Sequence, residues 1–207
     1  MALFISVFLK LLCVIVLYLF VIRPRTLTWG ATHKEALYRL TGNEIVKKPH
    51  FVATRAVTIN APANEVWKWI IQIGSARAGW YSIDWIDNGG VSSSTEILPE
   101  FQKIEEGYFI PFTFNQKNGM WVKEYIENEY ILWWDKKNNA TWGWFLKQSE
   151  NNQTRLITRL RIKYSFSFPR IIYYMISDIG DIIMMRKCML GIKERAENNF
   201  HKFQLRK

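Results

Sequence analysis

The sequence contains few of the residues from which metal centres and disulfide frameworks are built. Its 207 residues include only two cysteines and three histidines. Cys13 lies in an apolar N-terminal stretch, so Cys188 has no partner in the rest of the chain and no internal disulfide is expected there, which fits a reducing compartment. The histidines are scattered, at His33, His50 and His201. We therefore expect no metal ion, no cofactor and no catalytic histidine.

The usual sequence signatures of catalysis and of nucleotide binding are also missing. The chain has no Gly-x-Ser-x-Gly nucleophile motif and no glycine-rich phosphate-binding loop. It carries 28 Lys and Arg residues against 18 Asp and Glu residues, a formal net charge of +10, but no dense basic run that indicates a nucleic-acid partner. The positive charge fits either a solvated basic surface or attraction to anionic lipid, where each basic residue near the bilayer contributes about 1 kcal/mol.

A long apolar stretch stands at the N-terminus. Ala2–Ile22 is apolar except for Ser6 and Lys10, and as a helix it can cross a hydrocarbon core about 30 Å thick. Lys10 opposes insertion by about 2.5 to 3.5 kcal/mol, but the Leu, Ile, Phe and Val residues contribute about −0.3 to −0.6 kcal/mol each and outweigh it. A cleaved signal peptide is the alternative, although Arg23-Pro24-Arg25 follows in place of a small-residue cleavage site. We predict a retained transmembrane anchor over residues 1–23.

The charges around this stretch predict its orientation. Arg23, Arg25, Lys34 and Arg39 follow it, whereas only Lys10 and the amino terminus lie on the other side. Basic flanks favour the cytoplasmic side of a membrane. The sequence therefore predicts a single-pass membrane protein whose soluble domain is cytoplasmic.

The rest of the chain alternates between two hydrophobic periods. A connector over residues 24–52 leads to one strand and two helices. Between Tyr108 and Phe166 the apolar residues alternate with a period of two, in five segments separated by short turns, and each segment predicts a strand. After Pro169 the period returns to that of a helix. This order predicts one α+β domain over residues 53–203, in which a curved antiparallel sheet wraps around a long C-terminal helix.

The last predicted strand suggests that the sheet has one wet side. Leu156 and Leu160 share one of its faces, and Arg155, Arg159 and Arg161 share the other. Such alternation is typical of an antiparallel sheet that is packed on one face and solvated on the other.

Several segments between Thr28 and Asn198 resemble the membrane-anchored branch of the START-like superfamily (SRPBCC, polyketide cyclase/dehydrase and lipid transport), which has the helix-grip fold. The two most specific matches are Gly79–Asn88 (GWYSIDWIDN) and Met189–Glu197 (MLGIKERAE). The other matching segments are Trp29–Thr32, Thr54–Ile59, Ala61-Pro62, Val66-Trp67 and Pro99–Gln102. One departure is Gly107-Tyr108, where these proteins often carry Gly-Asp in the turn into a strand.

This resemblance implies a deep cavity between the sheet and the C-terminal helix, which often holds a hydrophobic ligand. It implies no particular reaction, because folds of this kind host binders, carriers and some enzymes. We expect an apolar cavity of roughly 300–1,000 Å³, the usual size of a small-molecule site. Its ligand would be lipid-like or aromatic and would enter from the membrane side.

Aromatic residues on the predicted strands and on the second short helix are the main candidates for the cavity wall, with residues of the C-terminal helix opposite them. Ordinary aromatic core packing is the alternative for each of them. The predicted ligand-binding residues are Tyr81, Trp85, Trp121, Trp133, Trp142, Trp144, Ile179, Ile183 and Arg186.

Arg186 is unexpected in this set because it falls on a helical stripe with Ile182, Ile183 and Leu190. A lone buried charge costs several kcal/mol. An acidic residue of the domain, an acidic ligand head group or outward extension of the side chain into water would each resolve the conflict.

The sequence leaves three functions open. The first is binding of a small hydrophobic or lipid-like molecule, for transport or sequestration near the bilayer. The second is a cyclase- or hydrolase-like enzyme that uses Asp84, Asp87 or Arg186, although no catalytic set is evident. Surface capping or pairing with Arg77 is the favoured explanation of the two carboxylates. The third is an interaction module whose aromatic interior is packed solid.

Overall fold

The computed structural model describes residues 2–164 and 170–205, which form an N-terminal helical segment and an α+β domain. The helices are α1 (Ala2–Leu17), α2 (Arg23–Leu27), α3 (His33–Leu37), α4 (Ala63–Ile71), α5 (Asp84–Asp87) and α6 (Arg170–Gln204). A π-helical turn (Tyr18–Ile22) joins α1 to α2, and a 3-10 turn covers Pro99–Phe101. The strands are β1 (Phe51–Ile59), β2 (Phe109–Pro111), β3 (Gly119–Ile126), β4 (Tyr130–Trp134), β5 (Ala140–Gln148) and β6 (Thr154–Ile162).

The six strands form one antiparallel sheet in the order β1-β6-β5-β4-β3-β2. Its inner face packs against α4 and α6 through a single hydrophobic core, which includes Trp133 and Trp144 from the sheet, Ile70 from α4 and Met189 from α6. The predicted α+β helix-grip arrangement is therefore confirmed. The main difference in the strands is β2, which covers three residues where the alternation predicts a strand over Tyr108–Asn115.

The buried face of α6 is not the one that its isoleucines suggest. Ile183 is 57% exposed and Leu190 is also exposed, so the expectation that this stripe faces the sheet is wrong. The side chains that enter the core are Met185, Cys188, Met189, Ile192 and Ala196, at spacings of three and four residues. The side chain of Ile179 lies outside the described residues.

The outer face of the sheet is covered where β1 and β6 pair, so the prediction of a wet side is wrong there. Arg159 is 4% exposed. Its guanidinium donates hydrogen bonds to the carbonyl oxygens of Glu35 (2.7 Å), Ala36 (2.9 Å) and Tyr38 (2.5 Å) and to the Thr54 hydroxyl (2.8 Å). The segment around α3 therefore packs on the sheet as part of the domain.

A close backbone contact and an ion pair hold the same segment in place. A Cβ atom on Gly30, whose φ is +70°, would lie 2.1 Å from the carbonyl oxygen of Ala56, so this contact requires glycine. Arg155 pairs with both carboxylate oxygens of Glu35, at 2.8 and 2.9 Å. In turn the Thr32 hydroxyl accepts from the Glu35 amide, and the Glu35 carboxylate accepts from the Thr32 amide, which caps α3 at its N-terminus.

The N-terminal helical segment is long and apolar enough to cross a membrane. Phe4–Leu27 spans 24 residues, and its most apolar 18-residue window has a mean hydropathy of 2.9 and contains no buried residue. Length and composition alone do not separate an anchor from a signal sequence, and they leave the orientation open.

Candidate ligand-binding cavity

A cavity of about 170 Å³ lies between α6, the loop that leads into α5, and the inner face of β5. It is smaller than the roughly 300–1,000 Å³ expected from the sequence, because aromatic rings fill much of the space between sheet and helix. Its walls are Trp80, Ser82, Asp87, Phe112, Trp142, Asp181, Met184, Met185 and Cys188.

The two sequence segments that most resemble the START-like superfamily contact each other beside this cavity. Gly191 on α6 packs so closely on the loop before α5 that a Cβ atom there would lie 2.4 Å from the carbonyl oxygen of Tyr81. On the other side of that loop, Gly79 adopts a φ of +82° and packs against Ser93. The Ser93 hydroxyl accepts a hydrogen bond from the Tyr81 amide at 3.0 Å. These contacts fix the loop and hold Trp80 against the sheet.

Three aromatic rings form the apolar wall of the cavity. Trp80 stacks on Trp142 with ring centroids 5.6 Å apart and an interplanar angle of 3°. Phe112 meets both rings edge-on, at 5.4 and 5.6 Å. The Trp142 indole donates to the Thr158 hydroxyl at 2.8 Å, whereas the Trp80 indole N–H has no acceptor among the described residues.

Asp87 supplies a buried carboxylate to the same cavity. The residue is 8% exposed, and neither carboxylate oxygen accepts a hydrogen bond of normal geometry from any described residue. Burial raises the pKa of Asp87; the nearby Ile83 amide and Ser82 hydroxyl oppose this, and the neighbouring Asp84 carboxylate adds to it. An unpaired buried carboxylate is costly to the fold, which makes it a candidate for contact with a ligand.

Asp181 is the second carboxylate of the cavity, and unlike Asp87 it is paired. Its Oδ2 lies 2.6 Å from a terminal nitrogen of Arg55, whose side chain is 2% exposed. Burial raises the pKa of Asp181 while Arg55 opposes the shift. The Arg55 Nε donates to the carbonyl oxygen of Thr26 at 3.0 Å. Asp181 therefore connects the cavity, through one arginine, to the end of the N-terminal helical segment.

A second ion pair strengthens this connection. Arg23 Nε lies 2.5 Å from an oxygen of Asp178, one helical turn before Asp181. The Tyr18 hydroxyl donates to the same Asp178 oxygen at 3.3 Å. The base of the apolar segment is thus held against α6 close to one end of the cavity.

The remaining polar groups of the cavity do not make a catalytic or metal-binding set. Burial raises the pKa of the Cys188 thiol, so it stays protonated and unreactive at neutral pH. The Ser82 hydroxyl donates to the carbonyl oxygen of Met184 at 3.0 Å. Within the described part of the chain, no group of three His, Cys, Asp or Glu side chains is placed to hold a metal ion.

The structure brings some of the predicted site residues to the cavity or next to it. Trp142 lines it. Tyr81, Trp133 and Trp144 are buried in the core behind the wall. Trp133 and Trp144 both pack on Trp142, with centroids 5.3 Å from it in each case. The Tyr81 hydroxyl is occupied, since it donates to the Trp69 carbonyl oxygen at 3.2 Å and accepts from Gln72.

Other predicted site residues point away from the cavity, and the expectation that they line it is wrong. Trp85 is 77% exposed and Ile183 is 57% exposed. Trp121 alternates with the inward-facing Met120 and Val122, so its ring lies on the other side of the sheet, where Lys136 stacks over it at 4.5 Å.

Arg186 is also exposed, so no acidic residue of the core is needed to neutralise it. Its guanidinium lies over the ring of Trp29, 5.4 Å from the ring centroid, a cation–π contact. Of the three resolutions that the sequence leaves open for this side chain, outward extension fits the structure.

Asp84 and Asp87 lie in the same helical turn, but they do not face the cavity together. Asp84 accepts a hydrogen bond from the Ser93 hydroxyl at 2.5 Å and is not part of the cavity wall. Arg77 pairs with neither carboxylate; it donates to the Ile71 carbonyl oxygen at 2.7 Å. Of these two carboxylates, Asp87 alone lines the cavity.

Comparison with known proteins gives fold-level likenesses only. No family model and no curated protein matches the chain. A conserved protein of unknown function from Enterococcus faecalis is 16% identical, with 84% of this chain and 98% of that chain covered and a TM-score of 0.40. A polyketide cyclase-like protein from Corynebacterium glutamicum is 14% identical (75% and 92% covered, TM-score 0.36). The Aha1 dimer from Colwellia psychrerythraea is also 14% identical (71% and 96% covered, TM-score 0.38). Likenesses this distant carry no argument about function.

Sequence reasoning missed several residues of the cavity wall. Asp181 directly follows Gly180 on α6, and nothing local in the sequence indicates its pairing with Arg55. The neighbouring isoleucines are more hydrophobic than Met184, Met185 and Cys188, so the sequence predicts the isoleucine face of α6 as the buried one. The useful signal was the spacing of three and four residues among those three side chains, which continues through Ile192.

Proposed function

We propose that this protein is a membrane-anchored helix-grip domain that binds a small, largely apolar molecule in the cavity beside α6, and holds it close to the bilayer. The observation that carries the proposal is the cavity itself: three aromatic rings and two methionines face one buried, unpaired carboxylate. Apolar walls with a few placed polar groups are the usual profile of a small-molecule site.

The size of the cavity limits the ligand. An apolar cavity of about 150 Å³ in another protein accommodates benzene, so a volume of about 170 Å³ here fits a molecule, or part of one, with about one aromatic ring. A complete lipid with its acyl chains is much larger. The proposal therefore favours a compact aromatic or branched aliphatic ligand over the lipid-like one expected from the sequence.

The position of the cavity supports a role next to the membrane. Arg55 forms an ion pair with Asp181, in the cavity wall, and donates a hydrogen bond to the carbonyl oxygen of Thr26, at the end of the apolar segment. If that segment spans the bilayer, a ligand that has partitioned into the membrane surface has a short path to the cavity. Sequestration or transfer of such a ligand follows from this placement.

A pair of substitutions tests the cavity as a binding site. Met184→Trp places an indole inside the cavity, whereas Ile183→Trp adds the same group to the exposed face of α6. With the full chain in amphipol and fluorobenzene as the probe, ¹⁹F NMR should detect binding to the wild type and to Ile183→Trp, and little binding to Met184→Trp. Equal binding to all three proteins would mean that the probe enters only the amphipol, and the proposal would fail.

Anchoring is tested separately. We expect the intact mass of the mature protein to include residues 1–22 and the protein to resist extraction from membranes by alkaline carbonate. A reporter fused after Lys207 should be active only in the cytoplasm, because basic residues flank the C-terminal end of the span. A mature chain that begins near Arg23 would indicate a cleaved signal peptide and remove the anchor from the proposal.

An enzyme is the second candidate, and Asp87 is the observation that favours it. Its raised pKa would suit a general acid or base. The other carboxylate of the cavity is neutralised by Arg55, so a single acid–base group would carry the reaction. In that case Asp87→Asn would retain a co-purifying ligand but abolish its slow conversion, which mass spectrometry of the bound molecule would detect.

A further inference from the structure

The charges around the cavity are unbalanced. Arg55 neutralises Asp181, but no cation among the described residues lies close enough to lower the pKa of Asp87. The other charge that acts on Asp87 is the Asp84 carboxylate, which is of the same sign. The cavity therefore contains one buried negative charge with no cation beside it in the described part of the chain, and the nearby Ile83 amide and Ser82 hydroxyl make no hydrogen bond of normal geometry to it. Removing such a charge from water costs several kcal/mol unless a cation or well-placed hydrogen-bond donors compensate it.

The rest of the wall also favours a positive charge. The rings of Trp80, Trp142 and Phe112 make up the aromatic part of the cavity wall. Aromatic faces attract cations through their quadrupole, most strongly where water is excluded. None of the nine residues in the wall is Lys, Arg or His, so a bound cation would meet no repulsion from the wall itself, while an anionic ligand would face Asp87 directly.

The two free oxygens of Asp87 distinguish between kinds of cation. A quaternary ammonium group has no N–H to donate, whereas a primary ammonium group has three donors. Charge-assisted hydrogen bonds from an ammonium to a carboxylate are about twice as strong as those between neutral groups. A primary or secondary ammonium would satisfy both oxygens of Asp87 while its apolar part lies against the rings.

We propose that the cavity recognises a compact apolar amine, whose ammonium group binds the Asp87 carboxylate and whose aromatic or branched body packs against Trp80, Phe112 and Trp142. This inference rests on the proposed binding function and names the chemical class of its ligand. A body of about one aromatic ring fits the cavity of about 170 Å³.

The test compares two probes of the same shape. Benzylammonium and ethylbenzene each have eight heavy atoms and differ in one position, where the first has a charged nitrogen and the second has a carbon. The affinity of the full-length protein in amphipol for each probe is measured by calorimetric or NMR titration at pH 7. We expect benzylammonium to bind roughly ten- to one-hundred-fold more tightly than ethylbenzene, the advantage of hydrogen bonds to a charged group.

Two variants assign that advantage to one carboxylate. Asp87→Asn keeps the shape of the cavity and should remove most of the preference for benzylammonium, while ethylbenzene binds as in the wild type. Asp84→Asn is the matched control in the same helical turn, outside the wall, and should change both affinities by no more than about two-fold, because partly solvated charges couple weakly.

The outcomes separate this inference from the function on which it rests. Ethylbenzene should compete with fluorobenzene for the site that Met184→Trp blocks. If it does, but benzylammonium binds no more tightly than ethylbenzene or not at all, the binding site exists and the amine assignment is wrong. The same conclusion follows if Asp87→Asn leaves the preference intact. If neither probe binds, the binding function itself fails.

Discussion

Arg159 on the outer face of the sheet and Asp87 at the inner cavity are similarly buried charged side chains, 4% and 8% exposed, but they differ completely in their partners. The Arg159 guanidinium donates to three carbonyl oxygens of the α3 segment, to the Thr54 hydroxyl and to the side-chain oxygen of Asn43. The Asp87 carboxylate accepts no hydrogen bond of normal geometry from the described residues. The hydrogen bonds of Arg159 are thus satisfied within the chain, whereas both oxygens of Asp87, unused by the described residues, are free to accept hydrogen bonds from a ligand.

This difference suggests how to separate charged side chains that serve the fold from those that serve a ligand. Each N–H group of the Arg159 guanidinium has an acceptor within the chain. The role of Arg159 is therefore to attach the α3 segment to the sheet. Burial also lowers the pKa of Arg159 to about 10, an effect that the neighbouring Arg161 reinforces, but the side chain remains charged at neutral pH. Asp87 pays the desolvation cost without such compensation, and a ligand is the missing partner that we propose.

The largest loss of stability is expected when Asp181, the paired carboxylate of the cavity, loses its cation and becomes unpaired like Asp87. Arg55→Leu leaves Asp181 buried without its cation, and removal of one partner of a buried ion pair costs about 3–5 kcal/mol. Chemical denaturation of the full chain in detergent should show this loss. Because the cost comes from the orphaned charge, the double variant Arg55→Leu/Asp181→Leu should recover much of it; a double variant as unstable as the single one would contradict this explanation.

The outer face should respond almost as strongly. Arg159→Met removes the donor of five hydrogen bonds and leaves the carbonyl oxygens of Glu35, Ala36 and Tyr38 unsatisfied, which we expect to cost about 3 kcal/mol. Lys163→Met, at an exposed position beyond the end of β6, is the control and should change stability by less than about 0.5 kcal/mol. Limited proteolysis should cut the α3 segment first in the Arg159 variant, and protection equal to that of the wild type would argue against its attachment role.

A smaller, pH-dependent effect is expected from Glu35. Its hydrogen bonds with Arg155 lower its pKa to about 2, so the ion pair stabilises the fold above the ordinary pKa of a glutamate, near 4.5, and the contribution disappears as the pH falls towards 2. The pair is partly exposed, so we expect about 1 kcal/mol at pH 7. Denaturation midpoints of Glu35→Gln and wild type should differ at pH 7 and converge in strong acid; a constant difference would mean that the charge is not responsible.

Local patterns in the sequence were sufficient for the fold. Alternation with a period of two identifies the strands that pair around Trp142 and Thr158, and the change to a helical period after Pro169 identifies α6. Both are properties of neighbouring residues along the chain, so they can be recognised without tertiary information. The resemblance of Gly79–Asn88 and Met189–Glu197 to one superfamily added the cavity, and the structure explains those segments by the close packing of Gly191 on Tyr81.

The cavity wall could not be predicted in the same way. Apolar residues recur at helical spacing on two faces of α6, one through Ile182 and Leu190 and the other through Met185 and Ile192, and periodicity does not indicate which face is buried. The burial of Asp87 depends on residues far away in the sequence, among them Phe112 and Cys188. A carboxylate one turn from another on a short helix is ordinarily a surface feature, and only the tertiary structure distinguishes Asp87 from Asp84.

In this proposal Asp87 has no partner among the described residues because a ligand supplies one, and the protein without ligand is less stable as a result. Since the pKa of Asp87 is raised in the folded state, the folded protein binds more protons than the unfolded chain between about pH 4 and that raised value, and Asp87 lowers stability as the pH rises through this window. Asp181, whose pKa is raised too, adds to the same trend in wild type and variant alike, so the difference between the two proteins isolates Asp87.

The most direct measurement is the melting temperature of wild type and Asp87→Asn across pH 4 to 8, with and without benzylammonium. Without the amine, the account predicts that the variant melts higher than the wild type at pH 7 and that the gap closes towards pH 4. With the amine, the wild type should gain stability and the variant should not. A variant that melts lower than the wild type at pH 7, and an amine that stabilises both proteins equally or neither, would show that Asp87 serves the fold and would contradict the account.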